Sequence, residues 1–285
     1  MENKDQIKQL ITLSTSIGEN KAYIQGGGGN TSIKISNNLM AVKASGTKLK
    51  EMSFSQGYCV LDYKNLNKYL LSIKKDESDF STKVDSFSLY NQGRPSIETG
   101  FHSLLGCCVA HSHSAYINVL LCSLEGKEIA KNLFPNSIWV DYGTPGIDLT
   151  ISLREKTKKI KNILDERIVV FLENHGVIVS GPNYKSVLEL HKEINATVID
   201  KLALKSFAQN DLTSKNINKV IFPDQVVFTA NKKLLRSTSG KETLLALNYI
   251  LNEIVRLGLT PKYIDDHNIQ ILQNMESEKY RQSIA

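Results

Sequence analysis

A short apolar run, GCCVAHSH at residues 106–113, constrains the fold more than any other feature of this sequence. It carries two histidines, His111 and His113, separated by one residue. Side chains two apart in a β-strand project from the same face, so a strand here directs both imidazoles to one place. A third histidine, His175, lies in ENHG between two β-branched runs that predict a hairpin. Three imidazoles with one open position are a usual ligand set of catalytic zinc, so we predict a divalent metal here.

A candidate acid/base residue, Glu98, lies just upstream in PSIETGFH. There Ser96 as N-cap and the apolar spacing of Ile97, Phe101 and Leu104 predict a helix with Glu98 in its first turn. Histidines two apart on a strand are also common without any metal, so spacing alone leaves a purely structural role open. The third histidine, at a predicted hairpin tip, favours the metal.

A glycine-rich loop, Gly26 to Gly29, precedes alternating strand residues. Asn37 and Asn38 then predict a two-residue turn, and the return strand ends in SGT at residues 45–47. This hairpin would bring GGGGN and SGT to the same end of a sheet. Glycines leave backbone N–H groups open and allow a ligand to approach closely. The loops therefore predict a phosphate or carboxylate cradle, although such loops are more often simple turns, and no P-loop lysine follows.

The composition is that of an ordinary globular protein. The chain has 285 residues, of which 41% are hydrophobic and 22% charged, with a net charge of +6. The charge is spread along the chain without a nucleic-acid-binding pattern, so we expect no nucleic-acid partner. No run approaches the ~20 apolar residues of a membrane span, and no apolar signal region begins the chain, so we expect a cytoplasmic protein without a membrane partner. The four cysteines, which predict buried thiols, are Cys59, Cys107, Cys108 and Cys122.

The remaining sequence predicts helices and strands around these motifs. Residues 74–93 predict a polar loop without a contribution to the core. VIFPDQVVFT at residues 220–229 predicts a pair of strands with a Pro-Asp turn, and helices are expected over 241–258 and 264–283. His191, in a long predicted helix, is interpreted as structural or solvated. His267 is expected at the surface.

Six motifs follow one another in a fixed order: GGGGNTS, KASGT, PSIETGFH, VAHSHS, YGTPG and ENHG. In this order they resemble the class II aldolase/adducin family over about residues 7–204. GGGGNTS with RPSIET is most similar to the branch that includes the aldolase portion of rhamnulose-phosphate aldolase/dehydrogenase fusions. The resemblance implies an α/β fold, a three-layer sandwich with a central, mainly antiparallel sheet flanked by helices. We expect a catalytic domain over residues 1–207, with an extension over 208–285 that packs on the core or on a neighbouring subunit.

The resemblance also assigns roles by position. His111, His113 and His175 match zinc ligands, and Glu98 matches the catalytic glutamate. Tyr142 matches a tyrosine that the aldolases lend across a subunit interface as a proton donor. The positions that match phosphate-binding residues are Gly29, Asn30, Ser45, Gly46 and Ser96. Ile97 departs from the pattern, because the aldolases often carry a second serine there, and it leaves open whether the substrate is phosphorylated.

The resemblance implies a zinc-dependent aldolase, usually a homotetramer, with Mn²⁺, Co²⁺ or Fe²⁺ as alternative metals. Its expected substrate is a small sugar phosphate, a ketose 1-phosphate that is cleaved to dihydroxyacetone phosphate and an aldehyde. The same ligands serve metal-dependent epimerases, dehydratases and decarboxylases of this fold, so the motifs leave these reactions open. A non-catalytic interaction module, as in adducins, is a further alternative that the complete ligand set disfavours. The sequence determines neither the sugar nor its stereochemistry.

Overall fold

An eight-stranded sheet forms the centre of the molecule. The computed structural model describes residues 3–74, 79–207 and 219–283. The strands lie in the order β4-β3-β2-β1-β5-β8-β7-β6, and within the described residues only β6 and β7 pair in parallel. The strands are β1 Asn30–Lys34, β2 Leu39–Lys43, β3 Tyr58–Asp62, β4 Ser88–Asn91, β5 Cys108–Ser112, β6 Ile138–Val140, β7 Ile168–Leu172 and β8 Gly176–Gly181.

Helices cover both faces of this sheet. They are α1 Lys4–Gly18, α2 Tyr63–Ser72, α3 Phe80–Asp85, α4 Thr99–Leu104, α5 Ala115–Leu121, α6 Gly126–Leu133, α7 Ile147–Thr157, α8 Tyr184–Lys201, α9 Pro223–Phe228, α10 Lys232–Arg236, α11 Thr238–Arg256, α12 Asp266–Asn274 and α13 Glu276–Ser283. The largest core lies under α1, α5, α8 and α11, while α2, α3, α4 and α7 enclose two smaller cores. The predicted α/β three-layer sandwich with a mainly antiparallel sheet is confirmed.

Strand β5 lies in the middle of the sheet, between β1 and β8. Ala110 belongs to the largest core, and Val109 to a core on the opposite face, as the period of two requires. His111 pairs with Asn30 on β1 and with Ile178 on β8. Because the strand is buried on both faces, its register is strongly specified. The pairing of β5 with β1 and β8 therefore fixes the position of His111 along the strand.

The histidine on α8 is structural. His191 is 1% exposed, its Nε2 lies 2.8 Å from the Ser112 hydroxyl, and its ring packs edge-on against Tyr23. Burial lowers its pKa to about 4. His267 is exposed, as predicted. Of the four cysteines, all without disulfide bonds, only Cys107 is half-buried rather than buried.

The prediction of a polar loop over residues 74–93 is wrong. Residues 75–78 lie outside the described part of the chain, but the rest contains α3 and the edge strand β4. Phe80 and Val84 are 4% and 2% exposed and belong to a core. They are four residues apart and share one face of a helical turn. The surrounding polar residues concealed this short pattern.

The predicted pair of strands at residues 220–229 is also wrong, because α9 occupies this segment. Pro223 is the first helical residue, where its missing N–H has no intrahelical partner to lose. Val226 and Val227 favour strands by propensity, but both are buried in the helix, so packing overrides that preference.

The C-terminal helices pack on the same core as the sheet. Leu247 and Ile250 of α11 are buried in the largest core, and α11 lies against α5. The helix expected over 264–283 is divided into α12 and α13 by extended backbone at Met275. Residues 208–218 lie outside the described part, so the domain boundary at residue 207 stays a prediction. None of the helices that the structure describes has the length and apolar run required to cross a membrane.

Candidate metal centre

Strand β5 and the β7–β8 turn bring three imidazoles together. The Nε2 atoms of His111 and His113 lie 3.0 Å apart. The ring centroid of His175 lies 4.9 Å from that of His111 and 5.0 Å from that of His113. One ligand atom from each residue lies within 4.8 Å of the other two, and all three residues are buried. The geometry fits the predicted three-histidine metal site.

The outer nitrogens of two imidazoles are held by other groups. Nδ1 of His111 lies 3.1 Å from the carbonyl oxygen of Val177, and Nδ1 of His113 lies 2.8 Å from Oδ2 of Asp224. Such contacts fix the ring and the tautomer of metal-binding histidines. They leave both Nε2 atoms facing the centre of the cluster.

His175 is held through its backbone instead. The Asn118 side chain donates to its carbonyl oxygen at 3.2 Å, and Asn174 before it adopts a left-handed φ of 51° that closes the turn. Burial is the main cause that lowers the pKa of His175 to about 3 and that of His111 to about 4. Both imidazoles are therefore neutral near pH 7, which is the form that binds a metal.

Glu98 lies at the N-terminal end of α4, beside the imidazoles. The N-cap of α4 is Glu98 and not the predicted Ser96, so Glu98 precedes the first turn of the helix, which begins at Thr99. The Ser96 carbonyl accepts the Thr99 N–H in a turn before the helix. The carboxylate oxygens of Glu98 lie 3.4 Å from Nε2 of His175 and 3.6 Å from Nε2 of His111. Oε1 is buried and has no hydrogen-bond partner in the described part of the chain. An orphaned carboxylate oxygen beside three imidazoles fits a site built for a metal and its substrate.

The charge of Glu98 is settled by its neighbours. Burial raises its pKa, but the three imidazoles and a 2.6 Å hydrogen bond from Asn30 outweigh burial and lower the pKa to about 2. Glu98 is therefore ionised at neutral pH. The Asn30 oxygen in turn contacts Nε2 of His102, whose Nδ1 lies 2.8 Å from the Ser32 hydroxyl. Asn30 thus orients the glutamate. His102, for which the sequence alone predicts no role, is buried and holds Asn30 in place.

The predicted substrate-binding residues line one cavity with Glu98, His113 and His175; they are Gly29, Asn30, Ser45, Gly46 and Ser96. This cavity, the metal pocket, has a volume of about 30 Å³, which is room for two or three waters. Ile97 also lines it and offers no hydrogen bond. A Cβ at Gly28 would lie 2.4 Å from Oδ2 of Asp224 and 2.8 Å from Nδ1 of His113, so this loop position requires glycine.

Tyr142 lies apart from the metal pocket of its own chain. Its side chain packs against Val220, Val226, Ile264 and Leu272. Its hydroxyl is buried without a hydrogen-bond partner among the described residues, and burial raises its pKa. The structure of one chain therefore leaves its role as a proton donor a prediction.

Three charged residues of the metal pocket come from the C-terminal helices and were not anticipated. Arg281 on α13 donates to Asp224 on α9 at 2.6 Å and to Glu278 at 2.8 Å. Arg281 and His113 lower the pKa of Asp224 despite its burial. No local pattern places them in the pocket, because Glu98 and the three imidazoles are distant from these helices along the chain.

Lys43 is a further buried residue of the metal pocket. It is 2% exposed, and its Nζ donates to the Gly27 carbonyl at 3.3 Å. Burial, and then the nearby Arg281 charge, lower its pKa to about 7. Its position at the end of β2 follows from the predicted hairpin, but its direction toward the pocket does not.

Residues 8–198 match the model of the Class II Aldolase and Adducin N-terminal domain. The chain therefore belongs to the class II aldolase and adducin family. A curated relative, the uncharacterized oxidoreductase YuxG of Bacillus subtilis (strain 168), is 29% identical over 217 residues, which are 69% of this chain. This chain spans only 30% of the length of that relative.

Solved structures share the fold. The N-terminal class II aldolase domain of a conserved protein from Thermoplasma acidophilum has a TM-score of 0.61 at 21% identity, over 70% of this chain and 94% of that one. A sugar-phosphate aldolase from Thermotoga maritima has a TM-score of 0.51 at 14% identity, over 73% of this chain and 98% of that one.

Proposed function

We propose that the protein is a metal-dependent aldolase that cleaves a small ketose 1-phosphate to dihydroxyacetone phosphate and an aldehyde. His111, His113 and His175 would hold the metal, with zinc as the first choice. The observation that carries the proposal is the ionised Glu98, whose unpartnered oxygen lies 3.4 Å from His175. Family membership supports the class of reaction, and the likeness to a Thermotoga maritima sugar-phosphate aldolase supports the substrate class.

The residues of the chain would share the chemistry as follows. A bound divalent metal supplies Lewis acidity to the carbonyl and neighbouring hydroxyl oxygens of the ketose. Cleavage of the C3–C4 bond releases the proton of the C4 hydroxyl and leaves an electron pair at C3. The ionised Glu98, oriented by Asn30, would accept the released proton and deliver it to C3, so that no net proton is gained or lost. The Asn30 side chain donates hydrogen bonds to Glu98 and, at 3.2 Å, to the Ser96 hydroxyl, so Asn30 and Ser96 would support the carboxylate. The backbone at Gly29 and Gly46 would border the substrate.

The second proton carrier in this proposal is Tyr142. Because it lies outside the metal pocket of its own chain, the proposed role requires a neighbouring subunit, and we propose a homotetramer. The predicted likeness to the aldolase portion of fusion proteins also stays a proposal. It is supported by the match of this chain to part of a longer oxidoreductase.

A coupled assay for dihydroxyacetone phosphate tests the proposal. Zinc-loaded protein is offered a panel of ketose 1-phosphates, and at least one is expected to yield the product. Glu98→Gln should keep its metal and lose about 10²–10⁴-fold in turnover, because general acid–base catalysis contributes this much. Exposed Glu166→Gln is the matched control and should retain full turnover.

Two outcomes would contradict the proposal. If no member of the panel yields the product with metal bound, an epimerase, dehydratase or decarboxylase of the same fold becomes the better assignment. If the purified chain neither contains nor takes up a divalent metal, a non-catalytic interaction module becomes the better assignment.

A further inference from the structure

A buried network of polar side chains connects α13 to one of the three imidazoles. Nδ1 of His113 lies 2.8 Å from Oδ2 of Asp224, and the other carboxylate oxygen of Asp224, Oδ1, accepts an N–H of Arg281 at 2.6 Å. Arg281 donates a second N–H to Glu278 at 2.8 Å. The network therefore runs from α13 through Asp224 on α9 to His113. Of its four residues, only His113 lies within residues 8–198, the part that matches the family.

The charged members of this network are withdrawn from water. The side chains of Asp224 and Glu278 are each 3% exposed, and that of Arg281 is 15% exposed. Removing charges from water costs free energy that their mutual attraction often fails to repay, so apolar side chains of similar volume commonly stabilise a fold as well or better. Stability is therefore a weak reason for this network, whereas its contact with a proposed metal ligand is a functional one.

Asp224 bridges the network, because each of its two oxygens has a different partner. Oδ2 faces His113 and Oδ1 faces Arg281. A carboxylate that is held at both oxygens is not free to rotate, so Arg281 sets the direction from which Oδ2 approaches Nδ1. The side of the glycine loop is closed as well, since a Cβ added at Gly28 would clash with Oδ2. Holding the outer nitrogen of a metal-binding imidazole fixes the orientation and the tautomer of its ring.

Arg281 is itself held by groups on two helices. Its Nη1 donates to Glu278, three residues earlier on α13, and its guanidinium lies over the ring of Phe228 on α9, 5.2 Å from the ring centroid. Phe228 is 2% exposed, so this ring is part of the packed interior. A guanidinium is planar and donates from two nitrogens at once, whereas a lysine ammonium is a point charge. The two carboxylates and the aromatic face together therefore require an arginine at this position.

We propose that Arg281 is a positioning residue of the metal centre, which orients His113 through Asp224 and so makes α13 a part of that centre. Arg281 is not a ligand, because a guanidinium offers donors only. The inference rests on the ligand set given under the proposed function, and it does not rest on the aldolase reaction.

The metal affinity of the full chain, measured without substrate, tests the positioning role. Competition with a chromophoric chelator gives the affinities for Zn²⁺ and Co²⁺. Arg281→Met should lower them about 3- to 10-fold, which is less than the loss expected for Asp224→Asn, because Arg281 acts one step further from the ligand. Arg281→Lys should recover part of the loss, since it keeps the charge without the planar fork. Arg236→Met, at an exposed arginine of the same region, is the matched control and should bind metal as the unaltered chain does.

A double substitution separates positioning through Asp224 from a general loss of stability. In the Asp224→Asn background, Arg281→Met should change metal affinity by less than about twofold, because the charge that links Arg281 to His113 is already removed. The visible absorption of the Co²⁺-loaded chain reports the ligand geometry and should change in Arg281→Met. If Arg281→Met does not fold, Glu278→Gln takes its place, and it should bind Zn²⁺ more weakly than the exposed control Glu276→Gln.

Equal affinities and spectra in Arg281→Met and Arg236→Met overturn the proposal, and so do losses that simply add in the double variant. A chain that takes up no divalent metal overturns the ligand set and the positioning role together. If no ketose phosphate turns over while metal affinity still depends on Arg281, the proposed function fails and the positioning role is supported.

Discussion

The residues that match the family, 8–198, and the C-terminal region, residues 219–283, build the metal pocket in different ways. The family residues contribute imidazoles and a carboxylate from a central strand, a hairpin turn and a helix start. The C-terminal region contributes Asp224, Glu278 and Arg281 from two short helices. His113 touches both, since its ring lies beside the glycine loop and against Asp224. The reacting groups therefore belong to local motifs, whereas the groups that orient and enclose them come from distant parts of the sequence.

The largest expected effect concerns His113, the proposed metal ligand that contacts both regions. We expect His113→Ala to lower the affinity for a divalent metal by more than about 100-fold. Loss of a group that only hydrogen-bonds a metal ligand lowers metal affinity by up to about 100-fold, and this substitution removes a ligand itself. Metal content after dialysis and competition with a chromophoric chelator measure this. His267→Ala, at an exposed histidine, is the control. Full metal retention by His113→Ala would remove this residue from the ligand set.

A second prediction concerns whether the C-terminal region is a separate folding unit. Leu247 on α11 is fully buried in the largest core. Leu247→Ala should therefore cost about 2–5 kcal/mol in the free energy of unfolding, in one cooperative transition. Val255→Ala on the same helix, at a 67% exposed side chain, should change it by less than about 0.5 kcal/mol. Two separate denaturant transitions, of which Leu247→Ala shifts only one, would show that the regions fold independently.

A third prediction sharpens the division between ligands and supporting groups. Asp224→Asn removes the negative charge that holds Nδ1 of His113 and should lower metal affinity about 10- to 100-fold. The same chelator competition measures it, with exposed Asp266→Asn as the control. Equal affinity in both variants would mean that the family residues hold the metal without help from the C-terminal region.

The smallest expected effect is on the pH dependence of stability, and it comes from His191, which lies within the residues that match the family. Burial lowers the pKa of His191 to about 4, so between pH 6.5 and 4 the unfolded chain binds more protons than the folded one. Its stabilising contribution is complete above pH 6.5 and is lost as the pH falls, by about 1 kcal/mol between pH 7 and 5.5. Denaturant unfolding at both pH values should show a smaller loss in His191→Gln. His267→Gln should behave as the unaltered chain, and an equal loss in all three proteins would contradict the prediction.

The sequence predicted elements well where their pattern is local and regular. The hairpin of β1 and β2, the strand β5 and the turn that carries His175 lie where periodicity and turn residues place them. The two segments for which the sequence prediction is wrong, α3 and α9, have patterns that are too short or too ambiguous to identify a helix. In α3 only Phe80 and Val84 mark the buried face, and in α9 two valines of strand propensity are held in a helix by packing.

The sequence alone predicts that His111 and His113 share one face and that the glycine loop and the SGT segment at residues 45–47 lie at the same end of the sheet. These facts follow from the period of a strand and the geometry of a turn, which depend on neighbouring residues only. Only the tertiary structure brings Asp224 against His113 and places Arg281 in the wall of the metal pocket with Gly29 and Asn30. These contacts join residues more than a hundred positions apart, and their formation depends on how whole helices pack, for which the sequence carries no local signal.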